Sequence, residues 1–418
     1  MAGESMALST RPALDAPEPT RFAQRKAAIL RTAAEVINRK GVRGMTLGEV
    51  AARLDMVPTA VSYYFRRKED LAAACFLEGI ARYETLIDQA LLQEEPRARL
   101  HAFLGALARE MQAVEAGRGE EVAAFNDVRA IGDPVVDTAY TELFRRARRA
   151  FNRPGLPEPV RLHRNARTHL LLSQAFWSVL WLKRYDSQDY PRLIERMLDI
   201  LVHGLAAPGV AWRPLALPLA DGAQERGRVS RETFLRAATQ LINEHGYLGA
   251  SVSRISARLN VTKGSFYHHI QAKDDLVALC FERTLGLMRE AQQAADAATT
   301  TGLDNLASLA VSLVRRDISD EAPLLRTSAL TAVPEEMAAH YIQRFERVSA
   351  RFASVVSDGI ADGSIRPVDA NVAAQMITAT INASAELHHW APGLDAANAA
   401  EIYVKPLFIG LLTSPADR

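Results

Sequence analysis

Cysteine is scarce in this chain: two residues in 418, Cys75 and Cys280. A disulfide framework is excluded, and a reducing cytoplasm is the expected compartment. No long apolar run is present. The longest, His169–Leu182, contains Ser173 and Gln174 and is too short to span a bilayer. The first 20 residues lack a basic start with an apolar stretch and carry Pro12, Pro17 and Pro19. Residues 1–20 are therefore expected to be a flexible tail. Runs of alternating β-branched residues are missing, so no sheet is expected and the fold class is all-α. Charge of one sign is missing too: the net charge is +1, which alone says nothing about nucleic acid. A Gly-rich phosphate loop, a nucleophile elbow and a His-Glu metal helix are all lacking. No catalytic residue, cofactor or metal is expected, and an enzyme is disfavoured.

What is present is a repeat. Residues 22–76 and 227–281 align without a gap at an offset of 205. Sixteen positions are identical, among them Asn38/Asn243, Gly41/Gly246, Lys68/Lys273, Leu71/Leu276 and Cys75/Cys280. Chance would give roughly three. A repeat this long is a copied domain rather than a solenoid unit. The length of 418 residues fits two halves of about 200. Charge tracks the repeat. Residues 21–70 hold 11 Lys/Arg against 5 acids, and residues 226–275 hold 8 against 4. Solvated helix faces would explain one such patch; its recurrence points to a phosphate-contacting surface.

Each copy reads as short helices. Ile29, Leu30, Ala33, Val36 and Ile37 form a stripe of 3.6-residue period, which Gly41 ends. Thr46 caps a short helix, with Glu49 completing a capping box. Next come a turn at residues 55–57 and a second short helix opened by Pro58. The second copy has Ser251 as cap, a turn at Asn260–Val261 and Thr262 as the next cap. Two short helices joined by a tight turn, behind a packing helix, make a helix-turn-helix.

The stretch Ser251–Leu276, through Ile255, Val261, Gly264, Tyr267, Lys273 and Leu276, resembles the signature of the TetR family of bacterial transcription regulators. Thr46–Leu71 is similar through Val50, Ala51, Leu54, Tyr64, Phe65, Lys68 and Leu71. It departs at Val57, where a capping Ser or Thr is usual, at Thr59 for Gly, and at Ser62 for Tyr. The resemblance implies two tandem units, each a three-helix head with a helical ligand-binding and dimerisation body. The expected boundaries are a tail 1–20, heads 21–70 and 229–275, bodies 71–206 and 276–418, and a linker 207–228. Twenty-two residues reach roughly 70 Å, and Trp212, Leu215, Leu217 and Leu219 suggest that the linker lies on the surface.

Body helices are expected at about 97–115, 119–130, 135–151, 160–185 and 189–206, and at about 303–317, 321–332, 335–361, 369–389 and 395–412. The last two of each half are the most apolar. In the family such helices pair two subunits as a four-helix bundle; here one chain would supply both partners.

By the resemblance, the second short helix of each head enters the major groove. Pro58, Thr59, Ala60 and Tyr63 in one copy, and Thr262, Lys263, Gly264, Ser265 and His268 in the other, are the candidate base readers and their helix starts. Thr46, Tyr64, Lys68, Ser251, Tyr267, His269 and Lys273 are candidate phosphate contacts. Phe65 and Ile270 read as core. A ligand pocket is expected among Phe125, Arg129, Phe176, Trp177, Trp181, Arg326, Tyr341, Met376 and Trp390, of which Phe176, Trp177, Trp181, Tyr341, Met376 and Trp390 also read as core.

Cys75 and Cys280 read as small apolar residues rather than a redox switch. His388 and His389 are adjacent, so they diverge on a helix and build no metal site. The Arg145–Arg153 cluster suits a helix end, with an anionic ligand such as an acyl-CoA as the alternative. The expected function is a repressor. It would act as a monomeric pseudo-dimer on an asymmetric double-stranded operator and be released by a small apolar effector, with no membrane involved. A DNA-bound adaptor governed by protein partners is the alternative.

Overall fold

The computed structural model describes residues 20–129, 131–151, 161–218, 230–270, 273–319 and 322–412. Residues 1–19 of the expected tail, residues 219–228 of the expected linker and residue 229 of the expected second head lie outside that set. Among the described residues every element is helical. In the first half these are α1 (Arg21–Gly44), α2 (Leu47–Arg53), α3 (Pro58–Tyr64), α4 (Lys68–Leu91), α5 (Pro96–Glu115), α6 (Pro134–Phe151), α7 (Arg161–Trp181) and α8 (Tyr190–His203). The second half has α9 (Arg231–Gly249), α10 (Val252–Arg258), α11 (Lys263–His269), α12 (Lys273–Ala298), α13 (Gly302–Ile318), α14 (Glu335–Ala361), α15 (Ala370–Asn382), α16 (Leu387–Trp390) and α17 (Lys405–Ile409).

The helix expected over 119–130 is not formed. Gly117, at φ +67°, ends α5, and the chain beyond it is irregular but for a single 3₁₀ turn, Phe125–Asp127. The helix expected over 321–332 is likewise reduced to the 3₁₀ segment Thr327–Ala332. Four consecutive backbone N–H groups there are taken by side chains from elsewhere. Leu324 donates to Asp317 (2.8 Å), Leu325 to Thr284 (2.8 Å), Arg326 to Asn243 (3.1 Å) and Thr327 to Asn382 (3.0 Å). Donors spent on those acceptors cannot build an i→i−4 ladder.

The long final helices are also broken. Residues 369–389 become α15, a 3₁₀ turn Ser384–Glu386 and α16. Residues 395–412 become a π turn, Ala400–Val404, running into α17. Pro406 has no N–H for the carbonyl of Ile402, and the wider turn precedes it.

The halves join through their last helices. Helices α7 and α8 pack on α15, the π turn and α17. Gln174, buried in α7, donates both amide hydrogens across the junction, to the Met376 carbonyl and to Thr380 Oγ1, each at 3.0 Å. Backbone joins backbone as well. Leu205 and Ala206 donate to the Phe408 carbonyl (2.9 and 2.8 Å), Arg366 donates to Leu205 (3.0 Å), and Leu411 to Leu201 (2.7 Å). Residues 210–218 then run along the second half, where the Trp212 ring lies tilted against Phe408 at 5.0 Å and the Leu215 N–H donates to Ser308.

Gly204 ends α8 at φ +74°, and a Cβ there would lie 2.3 Å from the Phe408 carbonyl oxygen. Gly209 has φ +81° with nothing within 4 Å of its Cβ position. Gly209→Ala should therefore cost about 1–2 kcal/mol of backbone strain. Gly204→Ala should cost clearly more, since the junction itself must shift. Chemical denaturation of both variants separates the two effects; equal losses would contradict the close-approach account.

Candidate nucleic-acid interface and inter-half cavity

The two heads repeat each other in backbone detail. Gly41 and Gly246 kink their first helices at φ +66° and +68°, so α1 bends at Gly41 and continues to Gly44. Asp55 and Asn260 hold the turn between the short helices at φ +53° each, a conformation that Asp and Asn tolerate better than other side chains. The core of the first head comprises Ile29, Val36 and Ile37 of α1, Val50, Val61, Phe65, Leu71 and Phe76. The second substitutes aromatics, with Phe234 edge-on to Phe266 at 5.6 Å, above Ile255, Ile270 and Phe281.

Caps set the helix starts. Thr46 Oγ1 accepts from the Glu49 N–H (3.0 Å), Ser251 from Arg254 (3.2 Å) and Thr262 from Ser265 (3.3 Å). The reciprocal arm of the capping box expected at Thr46 is absent. The Glu49 carboxylate goes to Lys40 (2.8 Å) and Arg53 (3.5 Å), and the Lys40 hydrogen bond holds its pKa below the usual range against a burial effect that raises it. Two helices later the Asp70 carboxylate caps the start of α4, accepting from the Arg67 N–H (3.2 Å) and from the Arg67 guanidinium (2.7 Å), where sequence reading did not place it.

Helix α3 presents Pro58, Thr59 and Tyr63 to solvent, Tyr63 most of all at 76% exposure, with Ala60 half-buried. Tyr64 is half-buried against Phe22 of α1 at 4.8 Å. Phe22, exposed beside both tyrosines, escaped the sequence reading because its counterpart in the repeat is Gly227. Helix α11 presents Lys263, Gly264, Tyr267 and His268, with Ser265 half-buried. A Cβ on Gly264 would meet Thr262 Oγ1 at 3.7 Å, an ordinary contact, so the fold itself does not demand glycine there. Lys68 donates to the Arg43 and Val42 carbonyls (2.9 and 3.4 Å) at the end of α1. The side chains of His269 and Lys273 lie outside the described residues. Both cysteines are buried, and burial pushes Cys75 up to about 12 and Cys280 to about 11, so neither is a thiolate near neutrality.

The bodies meet around a cavity of about 100 Å³. Tyr83, Phe125, Phe176 and Trp177 line it from the first half, and Arg326, Ser328, Asn382 and Glu386 from the second. Four of the nine expected pocket residues come together here: Phe125, Phe176, Trp177 and Arg326. Arg129 and Trp390 stand beyond Glu386, with the guanidinium 4.7 Å from the indole ring. The remaining three are elsewhere. Trp181 packs on Tyr185, Met376 is buried in α15 at the junction, and Tyr341 stacks on Phe281 at 4.9 Å under the second head.

Glu386 pairs with Arg326 at 2.7 Å. Burial opposes its ionisation, but Arg326, His169 and Arg129 outweigh that and hold its carboxyl below the ordinary range. His169 sits behind it, its Nε2 2.9 Å from the Ala383 carbonyl. Burial lowers the pKa of His169, against the opposing pull of Glu386, and Arg326 and Arg129 lower it further.

The cavity walls are tied to the heads. Asn38 of α1 donates to the Val122 carbonyl (2.9 Å) and accepts from the Ala124 N–H (2.7 Å). Its repeat counterpart Asn243 donates to Leu324 (2.8 Å) and accepts from Arg326 (3.1 Å). The 3₁₀ segment Thr327–Ala332 touches both α1 and α9. Sequence reading found the identity of these asparagines but not their use, since their partners lie more than 80 residues away.

The model of the tetR family of bacterial regulatory proteins matches residues 29–75 and again 234–280. A model of the tetracyclin repressor-like C-terminal domain matches residues 299–404. The Transposon Tn10 TetC protein of Escherichia coli is 36% identical over 62 residues, 15% of this chain and 32% of that protein, so the chain spans about a third of that relative. Among solved structures, the ketosteroid transcriptional regulator KstR2 of Mycobacterium tuberculosis is similar at 19% identity and TM-score 0.37, over 45% of this chain and 96% of that one. FadR of Bacillus subtilis, solved in complex with stearoyl-CoA, is similar at 20% and TM-score 0.34, over 42% and 96%.

His169 gives a pH prediction. Its folded pKa lies below its unfolded value of about 6.5, so the fold binds fewer protons than the open chain. Its contribution is full above that value and is lost as pH falls below it. The unfolding free energy should drop between pH 7 and 5, by at most about 1.4 kcal/mol per pH unit for this one proton. His169→Gln, which keeps an N–H donor toward Ala383, should flatten that limb; an unchanged slope would contradict the assignment.

Proposed function

We infer the function from one premise: the chain belongs to the TetR family and carries two of its N-terminal units in tandem. It is a DNA-binding helix-turn-helix regulator. In our reading it acts in the cytoplasm as a repressor and as a single-chain pseudo-dimer. Both heads rest on one internal bundle, and a small effector in the body releases them from the operator. The observation that carries this reading is the internal junction, in which α7 and α8 find their partners in α15 and α17 of the same chain.

The operator is set by the two recognition helices. A homodimer reads a palindrome because its helices are identical. Here Thr59, Ala60 and Tyr63 face one half-site, and Lys263, Gly264 and His268 the other. Effector action has a physical route. A ligand shifts an equilibrium only by differential affinity for its two states. The loops bonded by Asn38 and Asn243 border the cavity, so a change in its walls reaches both first helices.

Selection of bound sequences from random DNA tests the reading. Two dissimilar half-sites are expected, spaced by one or two turns of about 34–36 Å. Lys263→Ala should weaken binding by about 1–3 kcal/mol and relax preference in one half-site alone. Perfectly palindromic selected sites, or equal relaxation of both halves, would rule out the asymmetric operator.

A further inference from the structure

The polar end of the inter-half cavity is unbalanced in charge. Arg326 spends one guanidinium nitrogen on Glu386 at 2.7 Å, while its Nε is buried with no hydrogen-bond partner among the described residues. Arg129 stands on the other side of Glu386. Its Nε is also buried and unpartnered, and its guanidinium rests over Trp390 at 4.7 Å and Tyr140 at 5.7 Å. Two guanidiniums thus share one carboxylate. His169 brings no negative charge to offset them, and the nearby Glu244 is paired with Arg258, so among the described residues the polar end carries an excess of positive charge. Buried charge is costly unless it is paired, and an arginine with a free edge matches the geometry of a carboxylate.

The remaining walls are rings. Phe125 and Phe176 cross edge-on at 5.1 Å, and Tyr83 meets Phe176 edge-on at 5.0 Å, so an entering ring finds both faces and edges. The space of about 100 Å³ is of the order of an engineered cavity that holds benzene, about 150 Å³. It suits a single ring with a short acidic group, not a long chain. The walls come from both halves, so the cavity occurs once per chain.

We propose that this cavity binds one small aromatic carboxylate per chain, with the carboxylate on the free edge of Arg326 and the ring against Phe125 and Phe176. Arg129 supplies the second positive charge without touching the ligand. The proposal rests on reading the body cavity as the effector site and names the effector's chemical class. Bound there, the ligand bears on the segment 324–328, which Asn243 ties to the second head.

Calorimetric titration of the full chain with benzoate, benzamide and benzylamine reads the charge preference directly. We expect one benzoate per chain, bound at least tenfold more tightly than benzamide, and no saturable benzylamine. Arg129→Gln should weaken benzoate severalfold and leave benzamide unchanged. The paired change of Arg326→Gln with Glu386→Gln, which replaces an ion pair by an amide pair, should erase the difference between benzoate and benzamide. Benzylamine or benzamide binding as tightly as benzoate, two benzoates per chain, or no benzoate binding to the folded chain would each overturn the proposal. Operator retention, measured alongside, separates the two readings. Benzoate bound one to one without loss of DNA leaves the site standing and removes its effector role. Release of DNA by other compounds, with benzoate unbound, does the reverse.

Discussion

Everything in this molecule hangs on the junction between its two halves. Gln174 is its clearest fixed point. A buried amide without partners costs a few kcal/mol, and this one is satisfied only in the register that sets it between Met376 and Thr380. The backbone bonds of residues 201–206 to Phe408, Leu411 and Arg366 allow no slippage either. An apolar interface alone could slide. A buried polar group and a backbone ladder choose one position, and so fix where both heads are held.

From that junction outward the same device recurs. Side chains reach across long stretches of sequence to take up backbone groups that would otherwise form helix. Asn38 does so for the loop at 122–124, and Asn243, Asp317, Thr284 and Asn382 do so for residues 324–327. The loops so formed surround the cavity, and two of the residues that hold them belong to the heads. The cavity and the DNA-binding surface are therefore joined through short, directional contacts rather than through general packing.

The range of the interactions decides what is legible in the sequence. The heads were legible because their instructions are local: glycine at 41 and 246, Asp55 and Asn260 in the turns, Thr46, Ser251 and Thr262 as caps, all acting within a few residues. The all-α class and the tandem units were legible for the same reason. The helix expected at 321–332 failed because side chains of other elements captured four of its N–H groups, which no local pattern reveals; the one at 119–130 failed where Gly117 ends α5 and Asn38 takes the Ala124 N–H. The final helix widens into a π turn just ahead of Pro406, a visible residue whose effect was not anticipated. Four of the cavity's lining residues are named in the sequence reading: Phe125, Phe176, Trp177 and Arg326. Trp181, Tyr341 and Met376 are apolar side chains of the kind that fills any core, and composition does not tell a core ring from a pocket ring. Glu386 went unnoticed because a lone carboxylate in an apolar stretch gains its meaning only when Arg326 and Arg129 are folded around it.

The central claim is that one chain supplies both halves of what a dimer would provide. Light scattering of the purified chain over a hundredfold concentration range, alone and with a selected operator duplex, tests it most directly. The account predicts the mass of one chain throughout and one chain per duplex. A stable two-chain particle, or two chains on each operator, would contradict it.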